Sequence, residues 1–116
     1  MRVKVLDTPW KRAWGFMFRF RPPEPDEVYL FFLPRKGKHE ASIHTLFVFF
    51  PLGVIWLDEE GKVVDKVQAK PFRPFYAPKA PASFIIEGHP SLLNRWDEGE
   101  LIKEMQPFLP KEKEIC

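Results

Sequence analysis

The sequence predicts a mainly β protein: a small two-layer β-sandwich or partly open barrel, with one short helix near the N-terminus. Three observations carry that prediction. Short runs rich in aromatic and branched residues recur along the chain, separated by turn residues. Thirteen prolines punctuate 116 residues and leave little room for long helices. The run from Ile43 to Asp58 is apolar on both side-chain parities, so a strand built from it must be covered on both faces.

The elements follow in order. Arg2 to Leu6 alternates charge and aliphatic and reads as a first strand. Thr8 and Pro9 form a helix start, with the hydroxyl as cap and the proline at the first helical position. Trp10 to Trp14 then gives one to two turns, stopped by Gly15. Pro22, Pro23 and Pro25 stiffen the loop that follows. Val28 to Leu33 is a second strand, and Pro34 to Lys38 a polar connector. Ser42 to Phe50 is expected as a third strand, closed by Pro51, and Gly53 to Leu57 as a fourth. Asp58-Glu-Glu-Gly61 is a hairpin turn, from which Lys62 to Ala69 returns.

Pro71 to Pro81 reads as a stiff crossover, with Phe72, Phe75 and Tyr76 expected to dock it onto the core; its Pro-x-x-Pro spacings would otherwise present a polyproline ligand. Ser83 to Glu87 is a further strand. Pro90 to Trp96 is a short helix, Glu98-Gly99 a turn, and Glu100 to Met105 a last strand or helix. Residues 1–106 form one domain and 107–116 a charged, flexible tail.

Composition narrows the function. Eighteen basic and 16 acidic residues give a formal charge of +2, which supplies no electrostatic case for a nucleic-acid partner. The single cysteine, Cys116, excludes an internal disulfide and a cysteine-based zinc knuckle, and reads as an exposed thiol. Met1 to Leu6 lacks the apolar core of a secretion signal, and no stretch approaches a membrane span, so a cytoplasmic protein is expected. Serine, threonine, asparagine and glutamine are scarce while lysine, glutamate and proline abound, which is a thermophile's composition. It also leaves few hydroxyl nucleophiles.

Three segments in order resemble domain-of-unknown-function family 192. Arg12-Ala-Trp-Gly15-Phe16-Met17-Phe18-Arg19 is similar to that family's R-x-x-G-L-M-F-R signature. Pro51-Leu52-Gly53-Val54-Ile55-Trp56-Leu57-Asp58, with Gly61 and Val63, is similar to its P-L-D-I-x-F-I-D-x-x-G-x-V hairpin. Pro81-Ala82-Ser83-Phe84-Ile85-Ile86-Glu87 is similar to its P-A-x-x-V-L-E strand. The resemblance covers about residues 1–105 and implies a small β fold with a short N-terminal helix, and no established activity. Before the Pro-Leu pair the bacterial pattern carries aromatic-Trp-Met-x-Asn-Thr, where this chain has Ile43 to Val48. The pattern's next Asp is Gly53. Three polar positions are thus Phe47, Val48 and Gly53, which can neither donate, accept nor take a proton.

Four residues are candidate ligand-binding groups. Arg12 and Arg19 flank the Gly-Phe-Met-Phe turn and could hold a carboxylate or phosphate between guanidinium forks, or tie a loop down internally. His44 lies in the apolar run, as a possible base or a histidine whose tip reaches solvent. Glu87 ends a strand beside Gly88, where an acid suits an arginine. His39, His44 and His89 lack the close spacing of a metal site, and no metal is expected. Phosphate-loop, dinucleotide, zinc-helix and nucleophile-elbow motifs are absent, so neither a catalytic residue nor a cofactor is assigned. Asp58 is explained by its turn.

Twelve phenylalanines and four tryptophans are a large aromatic load for 116 residues; most belong in the core. Any of Phe47, Phe49 or Trp56 that faces outward would form an apolar patch that wants a partner. The leading expectation is a non-catalytic module binding a small molecule or another protein. The alternatives are a small enzyme using His44, Arg19 and Glu87, or a homo-oligomeric scaffold, with a homodimer as one form. Neither nucleic acid nor membrane is expected as a partner.

Overall fold

The strand-forming runs become β1 (Arg2–Leu6), β2 (Glu27–Gly37), β3 (Leu52–Leu57), β4 (Val63–Ala69) and β5 (Ala82–Gly88). The protein is seen here as a computed structural model, which describes residues 1–6, 21–37, 41–73 and 75–109. The expected N-terminal helix, Arg12, Arg19, His39 and Cys116 lie outside the described residues.

The strands form one mixed sheet in the order β1-β2-β5-β3-β4. β1 runs parallel to β2; the other neighbours are antiparallel. The fold is mainly β, as predicted, and the sheet is not closed into a barrel. Among the described residues, the layers that cover it are loops and two 3₁₀ segments, Pro90–Asn94 and Lys103–Phe108.

Each residue of β3 is buried. That is the two-faced burial expected from its apolarity on both parities. Val54, Trp56 and Ile85 face one core with Tyr29, Phe31 and Phe50. Ile55, Leu57 and Ile86 face a second core with Leu92, Trp96 and Met105. Each fully buried aliphatic contributes about 1.5–3 kcal/mol of transfer free energy.

The β3–β4 hairpin forms as expected. Asp58 Oδ1 accepts from the N–H groups of Glu60 and Lys62, both at 2.9 Å, and Gly61 takes φ 91°, which glycine adopts without strain. β4 is an edge strand, but its edge is covered. Tyr76 Oη accepts from Lys70 N–H at 2.8 Å, Asp65 Oδ2 accepts from Lys79 N–H at 3.0 Å, and Val63 N–H donates to Glu100 O at 3.0 Å. The β2–β5 register slips between Phe32 and Gly37, where Pro34 has no N–H to offer the ladder.

Beside the connector expected at Pro34 to Lys38, which belongs to β2 as far as Gly37, two expectations need correction. Ser42 to Phe50 is not a strand. Only Ile43 makes a β-bridge, to Tyr76, and the chain turns at Leu46-Phe47. Thr45 diverts it: its N–H donates to Arg73 O and its carbonyl accepts from Phe72 and Val48 N–H. The alternation of the run survives without a ladder, since Val48 and Phe50 are buried while Phe47 and Phe49 are exposed. The second correction concerns the crossover. Tyr76 packs on the first core as expected, but Phe72 and Phe75 point to solvent.

Candidate functional site

The loops that cover the first core meet at Thr45, which is 1% exposed. Its Oγ1 donates to Lys70 O at 2.5 Å and accepts from Arg73 N–H at 2.9 Å. Backbone bonds from Thr45 N to Arg73 O and from Phe72 N to Thr45 O complete the joint. With the Ile43–Tyr76 bridge, these bonds lock the 41–50 loop to the 70–76 loop.

On the outer side of that joint stands an aromatic ridge. Leu46, Phe47, Phe49, Phe72 and Phe75 are each between 40% and 59% exposed. Phe49 and Phe72 pack edge to face, with ring centroids 5.2 Å apart. Phe72 has φ 59°, the left-handed region, which costs a non-glycine residue about 1–2 kcal/mol. The Thr45 bonds hold it there. Lys70 and Arg73 flank it and are exposed, and neither meets a carboxylate among the described residues. The outward Phe47 and Phe49 make the patch the sequence allowed for; Trp56 does not join it, being buried with its Nε1–H donating to Ala41 O at 2.7 Å.

Glu87 occupies a different place. It lies on the first-core face of β5, opposite Tyr29 of β2 and Val54 of β3. The same cross-strand row brings Lys4 opposite Tyr29, but the Lys4 ammonium sits 5.8 Å from the tyrosine ring centroid and makes no ion pair with Glu87. The residue keeps some contact with solvent. Its carboxyl is nonetheless set among enough protein that burial pushes it up to about 7.

The other expected groups disperse. His44 is exposed, and its Nδ1 accepts a 3.4 Å bond from Leu46 N–H within its own turn. His89 caps the 3₁₀ segment at Pro90, with Nδ1 accepting from Ser91 N–H at 3.1 Å. No described contact joins His44 to Glu87. Among the described residues no group of three His, Cys, Asp or Glu could hold a metal.

Gly53 explains one departure from the family pattern. A Cβ there would lie 2.9 Å from the His89 carbonyl oxygen and 3.2 Å from Pro90 Cα. The backbone entering the 3₁₀ segment fills the space an aspartate would need. Sequence reading missed Thr45, Lys70 and Arg73. The signal that was available is the absence of any acid between Lys66 and Ile86, against four cations in the same stretch.

Residues 1–100 match the sequence profile of domain-of-unknown-function family 192, described as "Uncharacterized ACR". A UPF0127 protein of Pyrococcus abyssi is 39% identical over 87 residues, covering 75% of this chain and 70% of that protein. Other UPF0127 proteins of Pyrococcus and Thermococcus match at 37–42% identity, in keeping with the thermophile composition. Among solved structures, a protein of unknown function from Novosphingobium aromaticivorans superimposes with a TM-score of 0.75 at 20% identity, covering 85% of this chain and 71% of that one. A Sinorhizobium meliloti protein provisionally described as a transcription regulator gives 0.73 at 19%, covering 84% and 76%. At these identities the structural likeness shows the fold alone.

Proposed function

The chain belongs to domain-of-unknown-function family 192, and from that premise we propose that it is a cytoplasmic, non-catalytic module that binds another protein through the aromatic ridge. One observation carries the reading: five large apolar side chains stand 40–59% exposed on two loops tied together by a buried threonine. Apolar side chains scattered singly over a surface need no explanation, but five exposed ones on two joined loops, with Phe49 and Phe72 in contact, favour a docking surface. Strain at Phe72 supports it further, because the strained φ presents the ring to solvent instead of the core. No helix among the described residues is long and apolar enough to cross a membrane.

A photo-crosslinking amino acid placed at position 75, with the protein expressed in its own cells, tests the reading. The expected result is a discrete adduct with another protein that disappears in F72G. Adducts with the chain itself alone, or none, would overturn it.

A second reading rests on Glu87, whose carboxyl has no hydrogen-bonding or ionic partner among the described residues to offset its burial. It suits a small cationic or hydrogen-bond-donating ligand. Thermal-shift measurements with alkylamines and guanidinium compounds test it: stabilisation of the wild type that is lost in E87Q supports the ligand site, and equal shifts in both reject it. Arg12 and Arg19, the other expected ligand-binding groups, lie outside the described residues. The enzyme alternative would need His44 beside Glu87, and the hydrogen bond of His44 to its own exposed turn does not favour that.

A further inference from the structure

We propose that the ridge receives an acidic segment of its partner, one carrying carboxylates beside aromatic or branched apolar anchors. The inference rests on the reading of the ridge as a protein-binding surface and names the chemistry of what lies on it.

Charge complementarity is the ground. The ridge is built from two stretches of chain. Residues 41–57 contain no Asp, Glu, Lys or Arg at all. Residues 66–86 contain Lys66, Lys70, Arg73 and Lys79 and no acid. Two of these cations are already engaged. Lys66 Nζ donates to the carbonyls of Leu93 and Trp96 at 2.6 and 2.8 Å, and Lys79 pairs with Glu98. Lys70 and Arg73 remain, on either side of Phe72, exposed and without a carboxylate among the described residues. An interface of this kind places apolar anchors at its centre and charge at its rim, where opposite charge steers encounter and fixes orientation.

The same observations disfavour the other occupants. A two-fold contact of the ridge with a second copy would set two stretches that carry Lys70 and Arg73 and no acid against each other, like charge facing like. Single-stranded nucleic acid also stacks on aromatic rings, but it needs a basic groove that follows the backbone, and beside the ridge Lys70 and Arg73 are the uncommitted cations among the described residues of 66–86, on a chain of formal charge +2.

The test is selection of a random twelve-residue displayed-peptide library on the full chain, followed by titration of the enriched peptides. Three variants accompany it: F72G, whose glycine accepts φ 59° without strain and keeps the fold, the charge reversal K70E/R73E, and their combination. Circular dichroism and melting confirm folding of each. Enriched peptides are expected to be net acidic with at least one aromatic or branched anchor. They should lose at least tenfold in affinity on K70E/R73E and on F72G, and lysine-substituted versions should regain affinity on K70E/R73E. Enrichment of neutral or basic peptides that still depend on Phe72 would overturn the acidic class while leaving the protein-binding reading intact. No enrichment dependent on Phe72 would overturn both. Oligothymidine binding without peptide binding, or a concentration-dependent dimer abolished by F72G, would replace the proposal with the corresponding occupant.

Discussion

Glu87 shows what a single residue can cost in this fold. Its carboxyl is flanked by Tyr29 and Val54, and the nearest cation in the row, Lys4, is committed to the tyrosine ring. Burial therefore raises it from an ordinary 4.5 to about 7. The sign follows from linkage. Below pH 4.5 the group is protonated in folded and unfolded chains alike, and its burial as a neutral acid is fully compatible with stability. As pH rises the unfolded chain releases its proton first, so stability falls until the folded group also ionises near 7, and then levels off. The loss across that window is on the order of 1–3 kcal/mol, given that the side chain keeps contact with solvent. E87Q removes the ionisation. It is expected to melt with the wild type at pH 4 and above it at pH 8. Parallel melting profiles for the two proteins between those values would mean that the carboxylate is compensated and its burial carries no penalty.

At the scale of elements, the loop pair joined by Thr45 is the part of the fold most exposed to one substitution. T45V keeps the shape but removes both hydroxyl bonds, leaving Arg73 N–H and Lys70 O without that partner. A buried donor or acceptor left unmade costs about 1–3 kcal/mol, and the urea midpoint should fall accordingly. Since the same bonds hold Phe72 at φ 59°, T45V should also weaken partner binding more than its stability loss explains. An unchanged midpoint would mean that the backbone pairing alone holds the loops. This joint also marks where sequence reading stops. The β3–β4 hairpin was legible because its turn chemistry is local: Asp58 bonds residues two and four positions on. β1, β2 and β5 were legible from short branched runs. Ser42 to Phe50 was misread because alternation reports which side chains face inward, and says nothing about whether a neighbouring strand exists to complete the ladder. The bonds that decide it span 25 and 28 residues. Phe47 and Phe49 were legible as a patch if outward, whereas Phe72 and Phe75 were assigned to the core on hydropathy alone. The bonds from Thr45 to the backbone of Phe72 and Arg73 are tertiary, and no local pattern announces them.

At the scale of the whole molecule, one sheet serves as the common wall of two cores. Consecutive residues of β3 alternate between them, Val54 and Trp56 toward the first, Ile55 and Leu57 toward the second. β5 does the same with Ile85 and Ile86. Neither core can persist if β3 or β5 leaves the sheet, so loss of one side exposes the back of the other. The 3₁₀ layer is further bound to the sheet by Lys66, whose ammonium holds the carbonyls of Leu93 and Trp96. Unfolding should therefore be a single cooperative transition despite the two separate hydrophobic clusters. Trp56 in the first and Trp96 in the second are built-in probes of each side. In a chain labelled with 5-fluorotryptophan, the ¹⁹F resonances of both report on the same molecules during a urea titration. The two signals are expected to lose native intensity with one midpoint and one slope. Loss of the Trp96 signal at lower urea would show that the 3₁₀ layer peels from an intact sheet, and the shared wall would then not couple the two cores.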